Sequence, residues 1–399
     1  MVNVTAEDLL GGLRNNEFIL YYQPKASLIT NRIVGAEALV RWRRPDGTIL
    51  SPGAFVPVAE RERLLNRLTL QLLPQLIDDL VDHGLAEQLR VSFNVSSDDL
   101  EDPVLTRAIL DAIRSRRLPP AALELEITET QALRSGPEVL GNVRALSEAG
   151  VGLAMDDYGI GYSSMDTLSQ WPFTTIKLDQ GIVERMLDSS KNATIVRSSI
   201  RLAHELGLEV VAEGVETVLQ HDFLVEAGCR IVQGFLLSPP LPLSEFKAFC
   251  ALPARRRGLP VGLIHMAIVD HVQWRRDMAS FALQRSGLPA VSPLRQMDTH
   301  PALCLTECAL GRWYAGEGRH FADLPMFCDL DAPHRGLHDV GARLVACIRA
   351  GAGPDEMAPL LFELKQVSIE LIRILEDLED SGLEALFRLQ SGAAPQQSA

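Results

Sequence analysis

Residues 1–250 alternate short apolar segments with longer stretches that have the character of amphipathic helices. The apolar segments include IVGAE, RVSFN, ALELE, VGLAMDD and EVVAE, and a helix-like stretch follows each of them. Strands that alternate with amphipathic helices are typical of a parallel sheet, which can close into a barrel. We therefore predict an α/β fold whose parallel strands close into a barrel for this part of the chain.

A polar side chain closes each of these apolar segments. The residues at the trailing ends are Glu37, Asn94, Glu126, Asp156, Asp157 and Glu213. Catalytic groups of such barrels project from the C-terminal ends of the strands, so the pattern predicts a ring of carboxylates at one mouth. Carboxylates about 4 Å apart repel by about 4 kcal/mol at an effective dielectric near 20, and such a cluster must take up protons or bind cations. We interpret the ring as a site for metal ions.

Length and composition limit the other expectations. The 399 residues are more than one compact core usually holds, so we expect a second domain. The formal net charge of -14 argues against nucleic-acid polymers and anionic membranes as partners. The 6 cysteines are scattered, which favours a reducing compartment. The sequence has neither a long apolar run nor a basic start before one, so we expect a cytoplasmic protein without membrane insertion.

A proline-rich stretch at residues 238–260 ends the alternation, and the sequence beyond it reads as helices only. Apolar positions at three- and four-residue spacing predict helices over 262–286, 300–315, 333–350 and 355–379. The last helix has an apolar stripe for a bundle or a second chain, formed by Leu360, Leu364, Val367, Leu371, Ile374 and Leu378. The predicted division is a barrel at 1–253, a linker at 254–260, a helical bundle at 261–385 and a disordered tail at 386–399.

Short motifs follow one another in the barrel region in a definite order. They are EALVR from Glu37, SFNVS around Asn94, EITE from Glu126, DDYGIGYSS from Asp156, KLD from Lys177, AEGVE from Ala212 and QG from Gln233. In this order they resemble the EAL phosphodiesterases of bacterial cyclic di-GMP signalling, over roughly residues 15–250. The resemblance implies a TIM-like (β/α)8 barrel that hydrolyses one phosphodiester bond of cyclic di-GMP to linear pGpG with two Mg²⁺ or Mn²⁺ ions.

The resemblance also implies roles for individual residues. It assigns a first ion to Glu37, Asn94, Glu126 and Asp156, and a second ion to Asp156, Asp157 and Glu213; hard oxygen ligands suit both ions. The implied catalytic residues are Glu37, Asp157, Lys177 and Glu213, with Lys177 orienting or polarising the attacking water. Implied substrate contacts are Arg41 on a phosphate oxygen, Gln23 and Asp179 at a guanine, and Gln233 beside a metal-bound water. Glu129 and Glu216 are expected to anchor loops, although both could instead cap helices.

The DDYGIGYSS loop bears on whether the barrel is an enzyme. Its glycines, Gly159 and Gly161, permit the backbone conformations that a loop closing over metal and substrate needs. Departures from the family pattern are mild; they are Tyr158, Ile160, Met165 and Gln180. We therefore expect a phosphodiesterase. The alternatives are a catalytically inactive cyclic di-GMP receptor and a signalling scaffold.

The helical region has its own candidate site. His334 and His338 are spaced so that a helix would direct both imidazoles to one side, and with a thiolate and a third imidazole they make a tetrahedral zinc site. HVQW from His271, CALGRW from Cys308 and HRGLH from His334 resemble the CZB family, the chemoreceptor zinc-binding domains, over roughly residues 262–350. The resemblance implies one Zn²⁺ held by His271, Cys308, His334 and His338. The substitutes are His265, His300, Cys304 and Cys328.

A bound zinc ion would stabilise this bundle and deprotonate Cys308, because metal binding is coupled to folding and to pKa. We therefore predict that zinc loss, or oxidation of the Cys308 thiolate, changes the activity of the barrel, in a direction that the sequence leaves open. The apolar stripe and the resemblance favour a homodimer. Besides cyclic di-GMP, the expected partner is a chemoreceptor or another signalling protein.

Overall fold

The computed structural model describes residues 4–87, 89–159, 164–251, 261–285 and 300–390. Contacts between residues divide the chain into two compact units. The first unit comprises Met1–Leu224 and Cys229–Arg257, and the second comprises Val225–Gly228 and Gly258–Ala399. The predicted linker at 254–260 lies outside the described residues, so the domain boundaries stay a prediction.

The first unit is built around a closed ring of strands. The described residues contain ten strands, which are β1 (Phe18–Ser27), β2 (Ile33–Arg43), β3 (Ile49–Leu50), β4 (Arg90–Asn94), β5 (Leu123–Thr128), β6 (Gly152–Tyr158), β7 (Thr175–Leu178), β8 (Glu209–Ala212), β9 (Ile231–Gln233) and β10 (Leu241–Pro242). All except β3 and β10 form the ring, in the order β1, β9, β8, β7, β6, β5, β4, β2 and back to β1. The predicted barrel is therefore confirmed.

One strand of the ring departs from the all-parallel arrangement expected of a TIM-like barrel. β1 runs antiparallel to both of its neighbours, β2 and β9, whereas the other pairs in the ring are parallel. The reason is the connection, because only residues 28–32 separate β1 from β2 and a parallel crossover needs about a dozen residues or more. The chain therefore turns back as a hairpin, and the later residues of β1 lie deeper below the mouth than the earlier ones.

Helices connect the strands of the barrel and bury one side each. They are α1 (Ala6–Arg14), α2 (Val56–Arg61), α3 (Leu65–Val81), α4 (Ser97–Glu101), α5 (Pro103–Arg114), α6 (Glu129–Arg134), α7 (Pro137–Glu148), α8 (Ser164–Gln170), α9 (Gln180–Arg185), α10 (Ser190–Glu205), α11 (Val218–Glu226) and α12 (Leu243–Cys250). In α3, leucines recur at every fourth position and are buried, at Leu68, Leu72, Leu76 and Leu80. This spacing gives the helix one apolar side for the barrel to cover.

The second unit is helical throughout its described residues. Its helices are α13 (Gly262–Arg285), α14 (Ala309–Ala315), α15 (Pro325–Asp329), α16 (Asp331–Arg349) and α17 (Pro354–Gln390). The predicted apolar stripe of the last helix is confirmed, since Leu364, Leu371 and Leu378 are buried and its other members are partly buried. No helix in the described parts of the chain has the length and apolar character needed to cross a membrane.

Two helix boundaries differ from the prediction. The helix predicted over 300–315 begins only at Ala309, because Cys308 caps its N-terminus by accepting a hydrogen bond from the Gly311 N–H at 3.1 Å. At the other end, α17 continues to Gln390, past the predicted start of the tail at residue 386. Neither Gly nor Pro interrupts the sequence between 383 and 390, so nothing local ends the helix there. Residues 391–399 lie outside the described part of the chain.

We expect Leu344→Ala to lower the free energy of unfolding of the second unit by about 2–5 kcal/mol, the usual cost of deleting a buried leucine side chain. Leu344 is 0% exposed in a cluster formed with Leu337, Val340 and Leu364. Hydrogen exchange of the α16 amides as a function of urea measures the change. Phe362→Ala is the control, because Phe362 is 65% exposed and its loss should cost less than about 0.5 kcal/mol. Equal effects of the two substitutions would contradict the packing described here.

Candidate active site and metal centre

The mouth of the barrel brings together the acidic side chains that the sequence places at strand ends. Asn94 is the last residue of β4, and Glu213 directly follows β8. Glu126 lies near the end of β5. Glu37 differs from the expectation, because β2 continues past it to Arg43 while pairing with β1. Parallel neighbours nevertheless carry all of these side chains to one end of the barrel.

Lys177 of β7 stands at the centre of this group. Its Nζ lies 2.6 Å from Glu126 Oε2 and 2.7 Å from Glu213 Oε1. The same nitrogen is 3.2 Å from Asp156 Oδ1 and 3.6 Å from Glu37 Oε2. The lysine side chain is 1% exposed. One buried cation is thus surrounded by four carboxylates.

The carboxylates share the positive charge unequally. Burial favours the neutral form of Glu126, but the attraction of Lys177 and Lys25 outweighs it and lowers the pKa of Glu126 to about 2. Burial raises the pKa of Glu213 to about 8, although Lys177 opposes the change. Burial likewise raises the pKa of Glu37 and of Asp156, again against the pull of Lys177. The mouth therefore has an excess of acid that further cations could neutralise.

A β-bulge in β6 presents two neighbouring aspartates. Between Met155 and Tyr158 the pairing with β7 shifts by one residue, so Asp156 and Asp157 together lie opposite the single residue Lys177. Asp157 has a left-handed backbone with φ 58°, and its N–H donates to Asp156 Oδ1 at 3.0 Å. Burial, reinforced by the charge of Asp179, raises the pKa of Asp157. The bulge keeps both acids near the mouth, where regular alternation would direct them to opposite faces.

Two amides hold the carboxylate of Glu37. Asn94 Nδ2 donates to Glu37 Oε1 at 2.7 Å, and Gln233 Nε2 donates to Glu37 Oε2 at 2.6 Å. Gln233 Nε2 also lies 3.1 Å from Gln23 Oε1, so both glutamines reach the mouth. Because the amide nitrogen of Asn94 makes the contact with Glu37, the side-chain carbonyl oxygen of Asn94 is left to act as a ligand for a cation. The expected contact of Gln233 with a metal-bound water stays a prediction.

The other expected substrate contacts lie in different settings. Arg41 is on the same face of β2 as Glu37, further towards the mouth, and its guanidinium stands 5.6 Å from the centre of the Tyr21 ring. Asp179 caps the N-terminus of α9, where its Oδ1 accepts a hydrogen bond from the Gly181 N–H at 2.9 Å. A capping role explains the placement of Asp179 without a ligand. The guanine contact of Asp179 therefore stays a prediction.

The two expected loop anchors differ in burial. Glu129 is 3% exposed at the start of α6. Glu216 is exposed, and its backbone N–H donates to Gln220 Oε1 at 2.9 Å. Residues 160–163 of the DDYGIGYSS loop, which include Gly161, lie outside the described residues. Anchoring of this loop by Glu129 therefore stays a prediction.

Lys25 of β1 is a second buried cation, which the sequence pattern did not predict. Lys25 is 4% exposed, and its Nζ lies 2.7 Å from Ser92 Oγ and 3.0 Å from Glu126 Oε1. Glu124 Oε2 is 3.7 Å away. One signal could have indicated it, because Gln23 and Lys25 are two residues apart in YYQPK and so lie on one face of a strand.

The donor atoms at the mouth suit hard divalent ions. They are carboxylate oxygens and one amide oxygen, and no sulfur or imidazole is among them; the residues are Glu37, Asn94, Glu126, Asp156 and Glu213. Mg²⁺ and Mn²⁺ prefer ligands of this kind. The surplus of negative charge around Lys177 points to the same class of ion.

The second unit contains a different kind of donor cluster. The ligand atoms of Cys308, His334 and His338 all lie within 4.8 Å of one another, and the three residues are buried. Cys308 Sγ is 3.3 Å from His334 Nε2. Neither ring nitrogen of His338 makes a hydrogen bond of normal geometry to the described residues. Buried polar atoms without partners are costly, and a Zn²⁺ ion would satisfy this donor set.

Local structure positions these three residues. His334 and His338 lie on successive turns of α16, as their spacing predicts. Cys308 is the N-cap residue of α14, and its sulfur accepts the hydrogen bond that starts the helix. A Cβ atom at Gly311 would collide with the carbonyl oxygen of Leu305. The glycine of CALGRW therefore allows the close backbone approach that places the sulfur.

His271 lies beside the cluster without being one of the three grouped residues. It is 1% exposed on α13, and its Nε2 is 2.8 Å from Ser368 Oγ of α17. Burial, followed by the charges of Arg275 and His334, lowers the pKa of His271 to about 4. The imidazole is thus neutral at ordinary pH, which is the form that binds metals. Its role as the fourth ligand stays a prediction.

The substitute ligands lie elsewhere. His265 is exposed, and its Nδ1 is 3.6 Å from Glu379 Oε1. His300 Nδ1 is 2.9 Å from the carbonyl oxygen of the adjacent proline. Cys304 and Cys328 are both exposed. Within the described residues none of these four joins the donor cluster.

Comparison with known proteins assigns a family to each region. The family model of the EAL domain matches residues 6–240, and that of the chemoreceptor zinc-binding domain, CZB, matches residues 271–345. The cyclic di-GMP phosphodiesterase RocR of Pseudomonas aeruginosa is 38% identical over 245 residues, which are 61% of this chain. The solved structure of the PaMucR phosphodiesterase in its c-di-GMP complex is 33% identical, has a TM-score of 0.56, and covers 60% of this chain and 98% of that chain.

The similarity covers only part of the curated relatives. The matched segment spans 62% of RocR and 36% of MucR, a bifunctional diguanylate cyclase/cyclic di-GMP phosphodiesterase of P. aeruginosa that is 34% identical. The EAL match nevertheless covers more than half of this chain. The protein therefore belongs to the EAL domain family, and its C-terminal part matches the chemoreceptor zinc-binding domain family.

Proposed function

We propose that the barrel hydrolyses one phosphodiester bond of cyclic di-GMP to give linear pGpG. The observation that carries this proposal is the buried Lys177 with four carboxylates within 3.6 Å at the barrel mouth. Such a site can bind cations, and cations are what an anionic phosphodiester needs in order to approach a group of acids. The name of RocR as a cyclic di-GMP phosphodiesterase, and the c-di-GMP bound to PaMucR, support this choice of substrate.

Two Mg²⁺ or Mn²⁺ ions are the proposed cofactors of the barrel. When bound, they would lower the pKa of a water and screen the charge that develops on the phosphate. Glu37, Asn94, Glu126 and Asp156 would hold one ion, and Asp156, Asp157 and Glu213 would hold the other. The arrangement of donors supports these ligands, because Glu37 is fixed by two amides and the bulge keeps both aspartates near the mouth.

The cationic side chains have separate proposed roles. Burial disfavours the charge on Lys177, but the surrounding acids outweigh it and hold the lysine's pKa well above its usual value. Lys177 therefore stays protonated. When divalent ions neutralise part of the surrounding carboxylate charge, its ammonium group can donate to the attacking water or to a phosphate oxygen. Arg41, beyond Glu37 on the same strand face, would bind a phosphate oxygen through its fork of N–H groups. Gln23 and Asp179 are the proposed contacts of the guanine.

For the second unit we propose one Zn²⁺ held by Cys308, His334, His338 and His271. Two observations support this site: Cys308 Sγ lies close to His334 Nε2, and neither ring nitrogen of His338 makes a hydrogen bond of normal geometry to the described residues. The matching family is named for zinc binding. The sulfur would be a thiolate in the zinc-bound state, and thiolates are the form that oxidants attack.

We further propose that this second unit regulates the barrel. Loss of zinc, or oxidation of Cys308 by an oxidant such as hypochlorous acid, would repack helices α14 and α16, because both carry ligands of the cluster. A homodimer, a cytoplasmic location and a chemoreceptor or other signalling partner complete the proposal. They rest on the family resemblance, because the apolar stripe of α17 is already buried within its own unit.

We expect Lys177→Ala and Glu37→Ala each to slow hydrolysis of cyclic di-GMP by about 100-fold or more, the order contributed by an oriented donor or charge stabiliser. The full chain is incubated with cyclic di-GMP and Mg²⁺ or Mn²⁺, and the rate of pGpG formation, followed by chromatography of the products, measures the effect. Lys191→Ala removes an exposed lysine and should keep the rate of the unaltered chain.

Binding of cyclic di-GMP should be measured on the same proteins. If the unaltered chain binds cyclic di-GMP with bound divalent ions but never converts it, the enzymatic proposal is wrong and a non-hydrolysing receptor is favoured. If it neither binds nor converts the nucleotide, a signalling scaffold is favoured.

We expect the purified chain to carry one Zn²⁺, and Cys308→Ala and His338→Ala to carry much less. Each substitution removes a donor from a cluster in which the ligand atoms lie within 4.8 Å of one another. Atomic emission spectrometry measures the zinc content. Cys304→Ala is the matched control, because Cys304 is an exposed cysteine close by in the sequence. Since metal binding is coupled to folding, the zinc-poor variants should also unfold at lower temperature.

We expect the rate of cyclic di-GMP hydrolysis to differ between zinc-loaded and chelated protein, and Cys308→Ala to follow the chelated form. The physical reason is that loss of the ion leaves buried imidazoles unsatisfied and favours repacking. Initial rates at saturating Mg²⁺ measure the effect. Identical rates for the three proteins would exclude regulation through this site.

A further inference from the structure

Beneath the carboxylate group, the barrel interior contains a second polar layer. Each member lies two residues deeper on its strand than a residue of the mouth, and each is at most 4% exposed. The members are Lys25, Ser92, Glu124 and Thr175. The interiors of such barrels are commonly filled by branched apolar side chains. Burial of a charged pair is costly unless its geometry is good, so this layer requires an explanation.

Lys25 contacts the mouth residues through one atom, Glu126 Oε1. Its Nζ is held 2.7 Å from Ser92 Oγ and lies 3.0 Å from Glu126 Oε1. Glu124 is further away, at 3.7 Å, and Thr175 Oγ1 donates to it at 2.6 Å. The antiparallel course of β1 gives Lys25 this depth, because its residues descend from the mouth as the chain proceeds.

The two oxygens of Glu126 therefore have different partners. Oε1 faces Lys25 below, and Oε2 lies 2.6 Å from Lys177 above. Lys177 also contacts the carboxylates of Glu37, Asp156 and Glu213. Only Oε2 is thus directed to the side where the other donors converge.

We propose that Lys25 is a positioning residue that makes Glu126 a one-oxygen metal ligand and thereby selects Mg²⁺ or Mn²⁺ over Ca²⁺. The inference rests on the proposed metal site at the barrel mouth. Ca²⁺ takes six to eight oxygens and readily accepts both oxygens of a carboxylate, whereas Mg²⁺ requires a near-octahedral set at short distances. By occupying Oε1, Lys25 removes a ligand that the larger ion would use and the smaller ion would not.

The charge of Lys25 is consistent with this role. Its ammonium group can donate hydrogen bonds and cannot accept them, so Glu126 Oε1 is the acceptor of the 3.0 Å contact. Ser92, which is 0% exposed, accepts a second hydrogen bond from Lys25 at 2.7 Å and so restricts the direction of the ammonium group.

The test measures binding of Mn²⁺ to the zinc-loaded full chain, from the electron paramagnetic resonance signal of free Mn²⁺, with Ca²⁺ as the competitor. Lys25→Met should shift the ratio of the two affinities towards Ca²⁺ by about tenfold, at the low end of the effects of outer-shell partners on metal affinity. Thr175→Val is the matched control, because it removes a buried hydrogen bond of the same layer without touching Glu126. Asp156→Ala removes a proposed ligand of both ions, so the Mn²⁺ that it still binds measures binding outside the barrel mouth.

Ser92→Ala keeps the lysine and removes its support, so it should shift the ratio in the same direction and decides the question if Lys25→Met does not fold. An unchanged ratio in the folded variant, with Mn²⁺ still bound at the mouth, overturns the role of Lys25 and leaves the proposed function standing. A shift in Thr175→Val as large as that in Lys25→Met also overturns it. If the unaltered chain binds no more Mn²⁺ than Asp156→Ala does, the metal site fails, and the proposed function fails with it.

Discussion

Lys177 is buried in the barrel with four carboxylates within 3.6 Å of its nitrogen, and the surrounding structure serves to hold these charges in place. Removing a charge from water costs on the order of several kcal/mol, which only close pairing offsets. Two lysines lower the pKa of Glu126, whereas burial raises the pKa of Glu213 even though Lys177 contacts it. Amides on Glu37, a bulge at the aspartates and a second lysine below all resist the repulsion that would otherwise separate the acids.

In both candidate metal sites, buried ligand atoms need a cation to offset the cost of burying them, but the ligand atoms differ. The barrel mouth offers oxygens and a surplus of negative charge, which suit hard ions such as Mg²⁺. The helical unit offers one sulfur and neutral imidazoles, which suit Zn²⁺. The sulfur and imidazoles of the helical unit do not suit Mg²⁺, so the chain offers a separate donor set for each class of ion.

The sequence predicted the parts of this structure that depend on local periodicity. Alternating segments indicated the barrel, acids at their ends indicated the mouth, and the spacing of His334 and His338 placed both on one side of a helix. Periodicity carries no information on strand direction, so the antiparallel β1 was missed, and with it the position of Lys25, which meets Glu126 across 101 residues of sequence. The bulge at Asp157 and the late start of α14 were also missed, because each involves one hydrogen bond from a backbone N–H to a side chain rather than a periodic pattern.

The hairpin of β1 and β2 also determines the order in which the barrel can be completed. Its pairing is local, whereas β1 meets β9 through contacts such as Ala26 with Val232, from opposite ends of the barrel sequence. Closing so long a loop has a high entropic cost, and pairings between distant segments form slowly. The Gln233 amide that fixes Glu37 arrives with β9. A chain emerging from the ribosome therefore has no finished mouth until its ninth strand has been synthesised and has sealed the ring.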